Sequence, residues 1–263
     1  MRPILFQVWG MSVFSYGFMI AVAFIAGTAL GVREARKRGI ETEKVIDLAL
    51  YLCISGIVGA RLVYVLLDLP AYLEEPLEVL RLRDGGLSFH GGLFAAILVG
   101  IWFCKRSGVN PWVMADVAAP SIALGYSIAR VGCFLNGCCY GLASNLPWAI
   151  ACAAGDVTRR HPTQIYAALG SLAIFAILMR MRDHKRFPGY LMFLYVGLYS
   201  ILRFVVEIFR DVPRFIGPLS IAQVASIIVG LAAFASIYLL SEDPGRKAGR
   251  TLSGPHVHGQ GRS

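Results

Sequence analysis

Four stretches of this chain set side chains of definite chemistry at the ends of apolar runs. In Asp84-Gly-Gly-Leu-Ser-Phe-His90-Gly91-Gly92 a histidine stands among four glycines where a polar loop enters an apolar segment. Glycines let a backbone approach a ligand closely, Ser88 can cap the helix that follows, and a helix N-terminus offers free N–H groups to an anion. A histidine of ordinary pKa, near ~6.5, can take a proton from a thiol of pKa near ~8.5. The alternative is a histidine hydrogen-bonded in a glycine-packed helix contact. In Arg130-Val-Gly-Cys-Phe-Leu-Asn136-Gly-Cys-Cys-Tyr-Gly141 an arginine precedes a glycine-rich turn. Its planar fork suits a phosphate, and Asn136 suits ester or glycerol oxygens. The plainer reading is an arginine that snorkels to the membrane interface.

Tyr199, Arg203 and Glu207 recur every four residues and so share one helix face, with Glu207 placed to neutralise or orient Arg203. Arg61, followed by Tyr64, brings another cation into an apolar run. Arg159-Arg160-His161-Pro-Thr-Gln164-Ile-Tyr166 opens a further one, and for its two arginines interfacial anchoring is the preferred reading. Arg61, Arg130 and Arg203 thus all lie within apolar runs. A guanidinium at bilayer depth costs at least ~2.5–3.5 kcal/mol on insertion scales, and arginine does not escape by deprotonating. An anion should meet these residues.

The elements that must position them are membrane helices. The chain has 263 residues, 57% hydrophobic and 16% charged, well below the quarter charged of a soluble domain. Seven apolar runs, at 12–33, 46–67, 87–104, 112–132, 163–181, 188–208 and 217–240, approach or exceed the roughly 18–20 residues that cross a bilayer core. In the first, the basic block Arg33, Arg36, Lys37, Arg38 follows the apolar stretch, which reads as a retained helix, not a cleaved signal. The net charge of +9 does not point to nucleic acid, because the cations fall in short blocks between apolar runs. Fifteen loop lysines and arginines fall on one side and seven on the other, which puts the N-terminus outside and the C-terminus in the cytoplasm.

The expected architecture is an all-α polytopic membrane protein: a single domain over 1–240, a surface arm at 69–86 and an outward head at 133–162. The tail from 241 lacks apolar periodicity and reads as disordered and cytoplasmic, with His256 and His258 solvated. Cys133, Cys138, Cys139 and Cys152 fall on the outward side. Packing or a disulfide there is favoured over catalysis, and their spacing matches no zinc template. Cys53 and Cys104 read as apolar packers.

Taken together these segments resemble the bacterial prolipoprotein diacylglyceryl transferases. The resemblance runs through Tyr16-Gly17, Gly59-Ala-Arg61-Leu-Val-Tyr64, Gly85-Gly-Leu-Ser-Phe-His90-Gly-Gly-Leu, Asp116 with Ala119-Pro120, Arg130 and its glycine loop, His161-Pro-Thr-Gln-Ile-Tyr166, Tyr199, Arg203, Glu207 and Gly217-Pro-Leu-Ser-Ile-Ala-Gln223. It implies seven helices with arms and a small head in the bacterial plasma membrane. It implies transfer of a diacylglyceryl group from phosphatidylglycerol to the lipobox cysteine of a prolipoprotein, with no cofactor or metal. His90, Arg130 and Arg203 would be catalytic, the first activating the thiol and the others holding phosphate. Tyr16, Arg61, Gly91, Gly92, Asn136, Gly141, Tyr199 and Glu207 would bind substrate, Arg61 being as suited to holding helices together. The family's loop usually carries Asn and Glu where this chain has Cys133 and Cys138. That departure leaves room for an altered donor or acceptor. An anionic-lipid transporter and a membrane thiol oxidoreductase stand as alternatives, the second weakened by the lack of a Cys-x-x-Cys pair.

Overall fold

A computed structural model describes residues 3–8, 11–81, 85–151, 157–184 and 186–242. The tail beyond Glu242, with His256 and His258, lies outside the described residues, as do Asp84 and Cys152.

Seven helices among the described residues are long and apolar enough to cross a membrane. They are α1 (Ser15–Arg36), α2 (Thr42–Leu67), α4 (Phe89–Arg106), α5 (Pro111–Asn136), α6 (Thr163–Met181), α7 (Tyr190–Ile208) and α8 (Ile221–Ser241). The arm after α2 forms a short helix, α3 (Leu69–Glu74), and a 3₁₀ turn (Pro76–Leu80). Two small antiparallel pairings join the helices. A hairpin of β1 (Ile4–Val8) and β2 (Met11–Phe14) leads into α1, and β3 (Ile150–Ala151) with β4 (Arg159–Arg160) ties the head. Neither pairing is foreseen by the hydropathy pattern.

The helix ends follow from local chemistry. Ser88 and Asn110 accept from the backbone N–H of Gly91 (3.5 Å) and Trp112 (2.9 Å), and Pro111 takes the first position of α5. Ser220 and Gln223 form a reciprocal capping box that starts α8. The start of α7 is capped from another helix. Buried Asp116 of α5 accepts from the N–H groups of Gly189 (3.0 Å), Leu191 (2.8 Å) and Met192 (3.2 Å), satisfying donors that hydrocarbon could not.

Helix α5 is central, packed on α1, α6 and α7. One core joins Ala119 and Ala123 to Ile174, Leu178, Leu191 and Tyr195, and a second joins Ala35, Val45 and Leu48 to Phe103, Met114 and Val117. The outer faces are apolar and open, as at Ile54, Phe94 and Leu231, the surface expected against lipid. Consecutive spans run in opposite directions, so the starts of α1, α4, α6 and α8 lie with the ends of α2, α5 and α7, as in the approach of Gly132 to Tyr16, of Gly91 to Gly59 and of Ser220 to Glu207. The hairpin, arm and head gather at that end. The opposite end carries the basic loops, where buried Glu34 accepts from Lys37 (2.9 Å) and Arg182 (3.1 Å).

Candidate active site

At the end that bears the head, α5 and α7 place two arginines on either side of an aromatic contact. The Arg130 guanidinium lies 4.7 Å from the centroid of the Tyr126 ring, one turn earlier on α5. The edge of Tyr126 meets Tyr199 of α7, with centroids 5.2 Å apart and planes at 88°. Tyr199 stacks on Tyr195 at 5.8 Å and stands one turn before Arg203. The two helices therefore repeat one pattern, a tyrosine four residues ahead of an arginine, and interlock through the tyrosines. Tyr126 is absent from the residues singled out in the sequence, although its spacing to Arg130 equals that of Tyr199 to Arg203.

The arginines differ in their partners. Arg203 pairs with Glu207 at 2.9 Å, and this buried carboxylate also takes Ser220 Oγ at 3.1 Å and lies 3.8 Å from Arg210. The expected pairing of Arg203 with Glu207 is thus present, and Glu207 has the surroundings of a positioning residue instead of a substrate contact. Among the described residues no carboxylate lies within ion-pair distance of half-buried Arg130.

Arg61 has a structural placement. Its Nε donates to Val79 O (2.9 Å), its Nη1 to Gly85 O (3.1 Å) and Gly86 O (3.0 Å), and its Nη2 to Glu78 O. Tyr64 and Tyr72 flank it at 5.9 and 5.3 Å. Its donors are spent on tying the arm to α2, which leaves little for a substrate.

Three glycines expected at the substrate make close packing contacts. A Cβ on Gly91 would come within 2.5 Å of both Gly59 O and Val63 Cβ, and one on Gly92 within 2.8 Å of Gly56 O, so both let α2 and α4 touch. A Cβ on Gly141 would overlap Phe209 O, and the Gly141 N–H donates to His161 O at 2.9 Å, which joins head to α6 and α7. Bare glycine at a ligand and bare glycine at a helix contact look alike in sequence, and here each of the three has a close backbone neighbour, with Gly91 and Gly141 buried and Gly92 half-buried.

His90 is exposed in the first turn of α4, beside Phe89. The helix ends place it at the same end of the bundle as Arg130 and Arg203, with no hydrogen bond or ion pair joining it to either among the described residues. His161, at the start of α6, has Nδ1 3.2 Å from Tyr166 Oη and faces Phe209. Arg159 donates to Ala149 O (2.9 Å) and Pro147 O (3.1 Å), and so holds the head together.

The glycine loop turns sharply after α5. Gly137 adopts φ 73° and Cys138 N donates back to Cys133 O at 3.2 Å, closing the helix. Cys139 follows at φ 62°, the one non-glycine at positive φ among the described residues, a conformation that costs about 1–2 kcal/mol. Two buried residues of α6 hold it there: Gln164 Nε2 donates to Cys138 O (2.6 Å) and Thr163 Oγ1 to Cys139 O (2.7 Å). Cys53, Cys104, Cys133, Cys138 and Cys139 are free thiols, so a disulfide staple is not formed among the described cysteines. Hydrogen bonding from Cys133, opposed by burial and aided by Cys138, Arg130 and Arg210, brings the Cys139 thiol down to about 5. Burial pushes Cys138 up, against the side chain of exposed Asn136. Tyr16, in the first turn of α1, lies within electrostatic reach of Cys133, Cys138, Cys139 and Arg130.

A family model described as prolipoprotein diacylglyceryl transferase matches residues 3–239, which is nearly all of the described chain. The chain belongs to the prolipoprotein diacylglyceryl transferase family. Relatives named phosphatidylglycerol–prolipoprotein diacylglyceryl transferase include one from Clostridioides difficile, 34% identical over 91% of this chain and 96% of its own. Another, from Geobacter sulfurreducens, is 34% identical over 94% and 97%, and one from Bacillus cereus is 37% identical over 89% of each. Membership of this transferase family, on a multi-pass helical chain, sets aside the transporter and thiol oxidoreductase readings.

Proposed function

We infer that this protein is a membrane transferase that moves a diacylglyceryl group from phosphatidylglycerol to the thiol of a prolipoprotein cysteine. The observation that carries the site is the pair of arginines on α5 and α7 either side of the Tyr126–Tyr199 contact, Arg203 braced by Glu207 and Arg130 with no carboxylate partner among the described residues. A buried or half-buried cation at a membrane edge is stabilised by an anion, and a phosphodiester headgroup supplies one.

In the reaction the acceptor thiol gives its proton to a base and its sulfur attacks the glycerol carbon that bears the phosphate ester. The carbon–oxygen bond breaks, its electron pair goes to the phosphate oxygen, and glycerol phosphate leaves. Charge therefore grows on the phosphate as the bond breaks. Arg130 and Arg203 would neutralise that charge, with Glu207 and the stacked tyrosines fixing Arg203. His90, exposed at the start of α4, would take the thiol proton. Asn136 and Tyr16, at the end of α5 and the start of α1, would border the headgroup. The acceptor cysteine would be that of a lipobox, presented from outside the plasma membrane, with the N-terminus outside and the C-terminus inside; the excess of loop cations at the opposite end supports that orientation.

Complementation of a transferase-depleted bacterium tests this reading. The wild-type chain should lipidate a lipobox reporter, and His90→Ala, Arg130→Ala and Arg203→Ala should fail to do so. A wild-type chain that inserts correctly yet leaves the reporter unmodified would overturn it.

A further inference from the structure

The glycine loop holds a feature that the transfer reaction does not use. The sulfurs of Cys133, Cys138 and Cys139 lie within 4.8 Å of one another. Sequence spacing hides this, because five residues of ordinary helix would carry Cys138 away from Cys133. The chain instead leaves the helix at Gly137, turns back so that Cys138 N meets Cys133 O, and sets Cys139 at positive φ. Thr163 and Gln164 fix the carbonyls of Cys139 and Cys138 from α6, so the thiols are positioned by a braced turn.

We propose that Cys133, Cys138 and Cys139 together bind one thiophilic divalent ion of the zinc type, with a fourth position open toward the exterior. Zinc–sulfur bonds of ~2.3 Å in a tetrahedral site set sulfurs about 3.8 Å apart, so the cluster needs to close by no more than about 1 Å. Sulfur donors select soft or borderline ions over magnesium or calcium. Cys133 is buried, Cys138 half-buried and Cys139 exposed, which gives a closed floor and an open mouth. A tris-thiolate zinc centre carries one net negative charge, and Arg130 and Arg210 stand within electrostatic reach of Cys139 to offset it. The hydrogen bonds from Thr163 and Gln164 hold the ligand backbone as outer partners do at metal sites. The site does not depend on the transfer reaction, and its test reads metal directly.

The full chain is purified in detergent, reduced, stripped of metal and titrated with Co²⁺, then with Zn²⁺. The expected result is one cobalt per chain with thiolate-to-cobalt charge-transfer absorption, displaced by one zinc. Cys133→Ser, Cys138→Ser and Cys139→Ser should each weaken binding by more than the roughly 10–100-fold that loss of an outer partner costs. Cys53→Ser, on α2, should leave it unchanged. Wild-type protein supplies a readout that needs no variant: zinc should slow alkylation of Cys138 and Cys139, located by mass spectrometry, but not of Cys53. Absence of the charge-transfer band, absence of zinc protection, or a disulfide between two of the three cysteines in protein purified without reductant would each overturn the proposal.

Discussion

Gly91 separates a packing role from a substrate role by a single methyl group. Its added Cβ would meet the Gly59 carbonyl oxygen and Val63 Cβ at 2.5 Å each, about 1 Å inside ordinary contact. Neither neighbour is the free end of a flexible side chain, so α2 and α4 must move apart. Overpacking of this kind costs about 1–3 kcal/mol, and the two close atoms place Gly91→Ala in the upper half of that range. The gain of up to about 1 kcal/mol from alanine over glycine within a helix offsets part of it. The net loss is about 1–2 kcal/mol, or roughly 2–8 °C in Tm on the scale of a soluble chain of this length. Gly17→Ala is the matched control, because a Cβ at Gly17 meets nothing within 4 Å. It should hold or raise Tm. Thermal unfolding of both variants in one detergent, read by circular dichroism and by loss of the monodisperse peak, makes the comparison. Equal Tm values for the two, or lost transfer in Gly91→Ala at wild-type Tm, would refute the packing role and return Gly91 to the substrate.

Three further outcomes follow from the same contacts. Glu207→Gln should cost about 2–3 kcal/mol, below the 3–5 of a fully buried pair because Arg203 and Arg210 are 24% and 22% exposed; chemical denaturation and transfer kinetics should both fall. Asp116→Ala should cost about 2–4 kcal/mol by stranding three N–H groups at the start of α7, with Asp116→Asn recovering part of it in the same unfolding assay. In metal-free protein, alkylation of Cys139 should stay fast as pH falls from 8 to 6 and drop only near its pKa of about 5, since the lowered value keeps the thiolate present above it. Cys138, pushed up by burial, should react only under alkaline conditions.

Much of the fold is legible because bilayer thickness imposes a length and a polarity on each span, and Ser88 marks where α4 starts; the caps at Asn110 and Ser220–Gln223 come from the structure. The β1–β2 hairpin escapes notice because its strands are short and its apolar pattern merges with that of α1. At the site, Arg203 and Glu207 are readable from a four-residue step, and Tyr126 could have been found by the same rule applied backward from Arg130. The roles of Gly91, Gly92 and Gly141 are not readable, since absence of a side chain serves a ligand or a neighbouring backbone equally. Arg61 is ambiguous for a related reason. Its cation needs partners, and sequence does not tell whether they come from a lipid phosphate or from the carbonyls of Glu78, Val79, Gly85 and Gly86. Convergence of the three thiols depends on two left-handed residues, Gly137 and Cys139, and the second is one that a sequence of ordinary propensities does not announce.

The central claim is that Arg130 and Arg203 stabilise a phosphate that leaves as glycerol phosphate. Purified chain reconstituted with phosphatidylglycerol and a lipobox peptide should convert the peptide cysteine to its diacylglyceryl thioether, with one glycerol phosphate released per peptide. Arg130→Ala and Arg203→Ala should each lower kcat/KM by roughly 10²–10³, the scale of removing one preorganised donor from a developing anion. Transfer at the wild-type rate in either properly folded variant, or release of glycerol phosphate without thioether formation, would contradict the account.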